Sequence, residues 1–433
     1  MRAIFCFIIF SVCLLVDAIE EKHIPFREND PASYVRGVYI LNGSFTAVEE
    51  DLSISAPDPL ILTRFYSSDD QHKNTNWGGW RIFPQSILIL GERSDGLQFA
   101  FTGERSGAIL TYSGERGKPL KINLPKDGLG IVNTSHGEMN GRSNRLNHSV
   151  KCSDSTCEVV LGDGTRRVYR SVTDLPNCYF SAKIPSVLTA GLKNAKYFEL
   201  ISERLPSGNV LLFTYQNGCL SLVEMKDSTQ RKLHASIRFE YEYQDDWCVI
   251  TANTSDERIL KYHFQKTEGC FVLKQVDGSH CIPISYEYEI SDGHFLLRRK
   301  NLPEGRFIGI EYDDHHRVEL LKEPSTSLDE TEIVQRFAYQ KNFTDVFNPN
   351  GLKTRYLYNR ASQFLEAVEQ YDKSDEIYRM DYKHWGESTA DFGMLKSLAV
   401  VDGDGVTYSL QVFEYDLRGN IENEAIYGNL TGE

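Results

Sequence analysis

One short pattern, written several times over, limits what this chain can become. It appears in "PSGNVLLFTYQNGCLSLVEM" from Pro206, "GRFIGIEYDDHHRVELL" from Gly305 and "NPNGLKTRYLYNRASQFLEAV" from Asn348, and again in "DGDGVTYSLQVFEYDLRGNIENEAI" from Asp402. Each copy has a glycine turn, a run of strand residues and an aromatic or isoleucine two places before a tyrosine. An Asp, Asn or Gln follows, then a short turn and an apolar residue that opens a return strand. Tyr215, Tyr312 with Asp313, Tyr358, and Tyr415 with Asp416 and Gly419 mark the motif. Residues two apart share one face of a strand, and Asp or Asn with Gly supplies the turn. A single hairpin cannot bury such a face, but stacked hairpins can. Shorter aromatic alternations at Phe239-Tyr241-Tyr243, Tyr262-Phe264, Tyr286-Tyr288 and Phe337-Tyr339 extend the series.

Composition agrees. The chain has 23 Tyr and 23 Phe against 5 Met, and Tyr and Phe favour pleated, half-buried strands. The two best helical candidates fail: Gly191 interrupts residues 184–201, and residues 327–340 run into a Phe-x-Tyr alternation. An all-β fold is expected, and 433 residues suffice for two ordinary domains or one large β architecture. A net charge of −14 argues against a nucleic-acid partner, which needs a basic face.

The N-terminus reads as an export signal. Arg2 precedes an apolar run from Ala3 to Val16, and small residues stand at −3 and −1 of a cleavage point after Ala18. The run is too short to span a bilayer, so no transmembrane span is expected once residues 1–18 are removed, and the protein is expected to be secreted or cell-surface. Seven cysteines then remain, an odd number. Cys152 and Cys157 bracket "SDST" and form a candidate local disulfide; the others read as small buried strand residues.

The repeat resembles the tyrosine–aspartate (YD) repeat of the Rhs family of bacterial proteins, also found in teneurins. "YDLRGNI" at Tyr415–Ile421 and "PNGLKTRYLYN" at Pro349–Asn359 carry the likeness best. The stretch from Val35 to Leu90, with Gly43, Phe45, "TRFYSS" at Thr63–Ser68 and the Gly79-Trp80 turn, resembles the module that precedes the repeats in that family. The resemblance implies a β shell that encloses a C-terminal, often toxic, domain released by aspartyl self-cleavage. This chain departs from the pattern: its repeats are too few to close a family-sized shell, and it shows no self-cleavage segment and no distinct C-terminal domain. The expected divisions are a signal (1–18), a linker (19–34), an entry β module (35–95), an irregular β segment (96–199) and a YD-repeat region (200–433). The implied partner is a further YD-repeat chain or a C-terminal toxin segment encoded downstream.

No catalytic, cofactor or metal residues are assigned. Asp313, Asp314, His315 and His316 are adjacent, yet successive strand residues point to opposite faces and cannot converge on one ion. Carboxylates for glycoside chemistry are available at Glu49, Glu50 and Asp51 or at Asp245 and Asp246, but adjacency does not place them across a substrate. Trp77 and Trp80 offer a carbohydrate platform or, more simply, pin a hairpin to a sheet. The expected role is a non-enzymatic shell segment of an exported protein. The alternatives are a surface adhesin for carbohydrate or host protein, and a hydrolase with an unrecognised carboxylate site.

Overall fold

The structure is a computed structural model. It describes residues 33–68, 77–82, 86–92, 96, 98–103, 109–114, 120–122, 131–134, 137–140, 149–172, 193–279, 281–291, 294–324, 331–359, 364–386, 394–415 and 421–428. The signal and most of the linker expected from the sequence, together with Asp416 and Gly419, lie outside these residues. The described residues contain no α-helix, and the chain is all-β.

From Lys193–Arg204 onward the chain is a meander. Each strand pairs antiparallel with the next, through Val210–Gln216, Cys219–Lys226, Leu233–Gln244 and so on to Ile421–Gly428. Short loops make this order the natural one, because a tight turn returns the chain beside the strand it has just left. The result is one long curved repeat sheet.

The hairpin turns share one chemistry. At Asp313, Asn348, Asp372 and Asp402 the side-chain Oδ1 accepts the backbone amides two and four residues on, at 2.8–3.0 Å. The amide three residues on donates to the same residue's carbonyl, closing the turn. That fourth residue takes a left-handed backbone: Gly351 at φ 79° and Gly405 at 84°, but also His316 at 61° and Asp375 at 63°. The acidic or amide residue after the strand therefore serves the turn's amides, as Asx residues commonly do.

The described strands between residues 87 and 204 form a ring. The strand Ile87–Glu92 leads through Gln98–Gly103, Ile109–Gly114, Leu120–Ile122, Ser149–Cys152, Thr156–Val160 and Arg166–Val172 to Lys193–Arg204, which pairs back onto Ile87–Glu92. This closed ring fills its interior with Leu88, Ala100, Tyr112, Val150, Val159, Tyr169 and Phe198, as an eight-strand barrel can. Two expectations change here. Ile87–Glu92, read as the end of the entry module, belongs to the ring, and the described strands of the segment read as irregular pair in order. Lys193–Arg204 serves both bodies: its first half pairs with Ile87–Glu92 and its last residues with Val210–Gln216.

Cys152 and Cys157 face each other across a hairpin of this ring and are bonded. Cys219 is also disulfide-bonded, which corrects its reading as a simple buried strand residue.

The entry module is a small sheet of Thr46–Ile54, Leu60–Ser67 and Trp80–Ile82, preceded by the Tyr34–Val35 and Val38–Tyr39 hairpin. It lies across one face of the repeat sheet. Contacts run from Asp58 on Ser207 and Asn209, through Ser53 on Arg258 and Glu49 on Lys300, to Ile40 on Thr344. The core runs through this seam and the ring interior.

Candidate functional site

The motif tyrosines occupy one repeated position. Repeatedly along the meander an aromatic near a strand end sits opposite an apolar residue near the start of the next strand, and there the register slips by one. Tyr215 faces Leu220, Tyr288 faces Leu297, Tyr312 faces Val318, Tyr358 faces Leu365, Trp385 faces Leu395 and Tyr415 faces Ile421. The skipped residues are Ser221, Arg298, Glu319, Glu366, Lys396 and Glu422. A bulge interrupts the ladder and bends its strand, so the sequence places mostly charged residues at the extra position.

The phenol completes what the bulge interrupts. Tyr215 donates to the carbonyl of Leu200, Tyr241 to Leu220, Tyr288 to Leu273, Tyr312 to Leu297, Tyr339 to Val318 and Tyr415 to Leu395, at 2.6–3.0 Å. The Trp385 indole does the same for Leu365 at 2.7 Å. Each of these acceptors stands immediately before a bulged residue. Tyr358 departs slightly, reaching Gln340 at 3.2 Å where no bulge exists. Burial pushes the phenols of Tyr288 and Tyr312 well above their ordinary pKa, so they remain donors. Sequence reading found these tyrosines as packing residues; their hydrogen-bonding role depends on a bulge that the sequence does not announce.

The entry module uses the other pole of the same bulge residues. The amide of Leu297 donates to Tyr66 Oη at 2.8 Å, and that of Val318 to the Gly43 carbonyl at 2.8 Å. The amide of Leu200 reaches the Ser86 carbonyl at 3.2 Å. Gly43 is required here: φ is 78°, and a Cβ would lie 2.4 Å from Arg317 Cβ.

At the centre of the seam Arg64, 1% exposed, is held bidentately by Asp51 at 2.6 and 2.8 Å. Its Nη1 donates to Tyr286 Oη at 2.9 Å, and Tyr262 Oη donates to Asp51 at 2.7 Å. The guanidinium lies 4.8 Å from the Trp80 ring centroid. Burial works against the cation, but Asp51 together with Tyr286 and Tyr262 raises the Arg64 pKa. Burial also pushes Tyr286 up to about 12. These groups partner one another, and the cluster locks the module to the repeat sheet.

The residues considered for chemistry disperse. Asp313 serves its own turn and pairs with Arg317, while His316 sits 4.9 Å from His294, ring to ring, and bonds Ser291. Among the described residues no group of three His, Cys, Asp or Glu side chains is placed to hold a metal. Glu49 and Asp51 are committed to Lys300 and Arg64. Asp245 and Asp246 are exposed on a turn. Trp77 and Trp80 are 4% and 2% exposed, packed on Phe264 and on Tyr66 and Tyr286. This removes the carbohydrate platform and leaves the pin.

No family model matches the sequence, and no curated protein does. Among solved structures, TcdB2-TccC3 without its hypervariable C-terminal region aligns over 97% of this chain and 28% of its own, at 9% identity and a TM-score of 0.31. A Tc holotoxin pore from Photorhabdus luminescens aligns over 86% of this chain and 26% of its own, at 10% identity and 0.23. A porin-like protein from Bacteroides uniformis aligns over 54% and 92%, at 9% identity and 0.25. The chain thus spans about a quarter of the length of the toxin structures, and its fold is established by the strand pairing above.

Proposed function

We propose that the chain is a wall segment of a β shell in an exported protein, non-enzymatic, and related in kind to the Rhs-type proteins that its repeats resemble. The observation that carries this is the module lying across the strands from Ser207 to Thr344 and bonded to the bulge amides. A curved sheet braced on one face by its own N-terminal segment is a wall, and its inner chemistry is spent on holding it. A further YD-repeat chain or a C-terminal toxin segment encoded downstream is the proposed content or continuation, as the resemblance of the repeats implies.

The test is co-expression with that downstream polypeptide, followed by limited proteolysis. Protection of the partner until the sheet is denatured supports a shell; digestion at the rate of the isolated partner overturns it. The adhesin reading has one observation in its favour. Tyr382, Ala399, Leu410 and Tyr427 line up across neighbouring strands on the face away from the module, with both tyrosines exposed. Selective retention on immobilised glycans or host proteins, lost on Tyr382→Ser with Tyr427→Ser, supports that alternative.

A further inference from the structure

We propose that His294 and His316, from neighbouring hairpins, form a two-imidazole site for a borderline-soft divalent ion such as Zn²⁺, which clips the two hairpins together at one rim of the repeat sheet. The inference does not depend on the shell reading.

The two histidines come from separate turns. His294 opens the strand His294–Asn301, opposite Ser291 at the end of Cys281–Ser291. His316 lies in the turn between Phe307–Tyr312 and Val318–Pro324. Among the described residues, the strands that join these hairpins pair only from Arg299 with Gly309 to Asn301 with Phe307. The ladder therefore stops short of the rim that carries the histidines. There the hairpins meet through side chains: Tyr312 on the Leu297 carbonyl at 3.0 Å, Ser291 Oγ with His316 Nε2 at 3.1 Å, and the rings of His294 and His316 on each other.

That ring contact has the dimensions of a shared ligand set. The centroids are 4.9 Å apart, with the planes inclined at 45°. Two imidazoles on one tetrahedral ion, each nitrogen about 2.0–2.1 Å from the metal, have centroids roughly 5 Å apart. The Ser291 bond engages His316 Nε2, so coordination falls to Nδ1, with the other nitrogen oriented by an oxygen as in metal-ligating imidazoles generally. Both histidines are half-exposed, which lets water complete the coordination shell. Imidazole ligands suit zinc, copper or nickel, whereas magnesium and calcium seek oxygen. Asp313 stays outside the set, because it serves its own turn and Arg317. Only one residue of the Asp313–His316 run takes part, and its partner comes from another hairpin.

The test uses the full chain and zinc sulfate. Diethyl pyrocarbonate modifies histidines, and peptide mass spectrometry reads the extent at each one. The expected result is saturable zinc protection of His294 and His316 together, with the exposed His315 still modified at its metal-free rate. Magnesium at the same concentration should protect neither. His316→Gly keeps the turn, because Gly351 and Gly405 already fill this place in other copies. In that variant zinc should no longer protect His294, and His294→Gln should likewise remove the protection of His316. Protection of His315 with His316 would put the ion within the turn and overturn the proposal. Magnesium protection equal to that by zinc, protection of His294 that survives His316→Gly, or no saturable protection overturns it as well.

Discussion

At the scale of single residues, the phenol hydroxyl is the informative atom. Tyr312→Phe keeps the ring and deletes the donor to Leu297, so it should cost about 1 kcal/mol in a urea titration, more if the carbonyl is left dry. Phe264 already shows a ring in this position without the hydroxyl. Arg64 is the opposite case, a charge whose worth lies in its partner. Arg64→Met leaves Asp51 buried and unpaired and should destabilise by about 3–5 kcal/mol, whereas Arg64→Met with Asp51→Leu should recover most of that loss. Thermal melts of the three variants check the sign. Asp256 carries a pH signature: hydrogen bonds from Arg258 and Thr254 hold its pKa at about 2, below the ordinary value of about 4. A depressed carboxylate stabilises the fold above its unfolded pKa and loses that contribution as pH falls through the folded one. Stability should therefore drop between about pH 4 and pH 2, and Asp256→Asn should flatten that part of the curve.

At the scale of the hairpin, the turn's fourth residue decides the cost. Gly405 has φ 84° with no atom near an added Cβ, so Gly405→Ala tests backbone strain alone and should cost on the order of 1 kcal/mol. Gln230 occupies the same place at φ 59°, and Gln230→Gly should gain a comparable amount. Paired denaturation curves give both. This also explains why "EYDDHHRVEL" tempted a metal reading: both histidines lie in a turn, His316 where other copies place Gly351 and Gly405, and it tolerates the left-handed backbone because its ring finds His294 and Ser291.

At the scale of the whole molecule, the entry module sets a gradient of order. Strands beneath it bury Tyr262, Tyr286, Leu297 and Ile310, while Ile377–Trp385 and Ile421–Gly428 have no buried residue. Amide exchange should be slowest under the module and should quicken towards Ile421–Gly428. Exchange measured by fragment would show a uniform profile if the module were only an appendage.

The sequence by itself determined the strand content, the hairpin order and the turn chemistry, because these follow from alternation and from Asp, Asn and Gly within a few residues of each other. It also marked Tyr215, Tyr312, Tyr358 and Tyr415. The tertiary structure alone decided that residues 87–204 close into a ring, that Ile87–Glu92 leaves the entry module, and that bulges give those tyrosines carbonyls to serve. It alone brought Arg64 and Asp51 to Tyr262 and Tyr286, some two hundred positions away. Local pattern fixes which residues share a face; ring closure and burial of an ion pair depend on pairings between distant segments, and no local period encodes those.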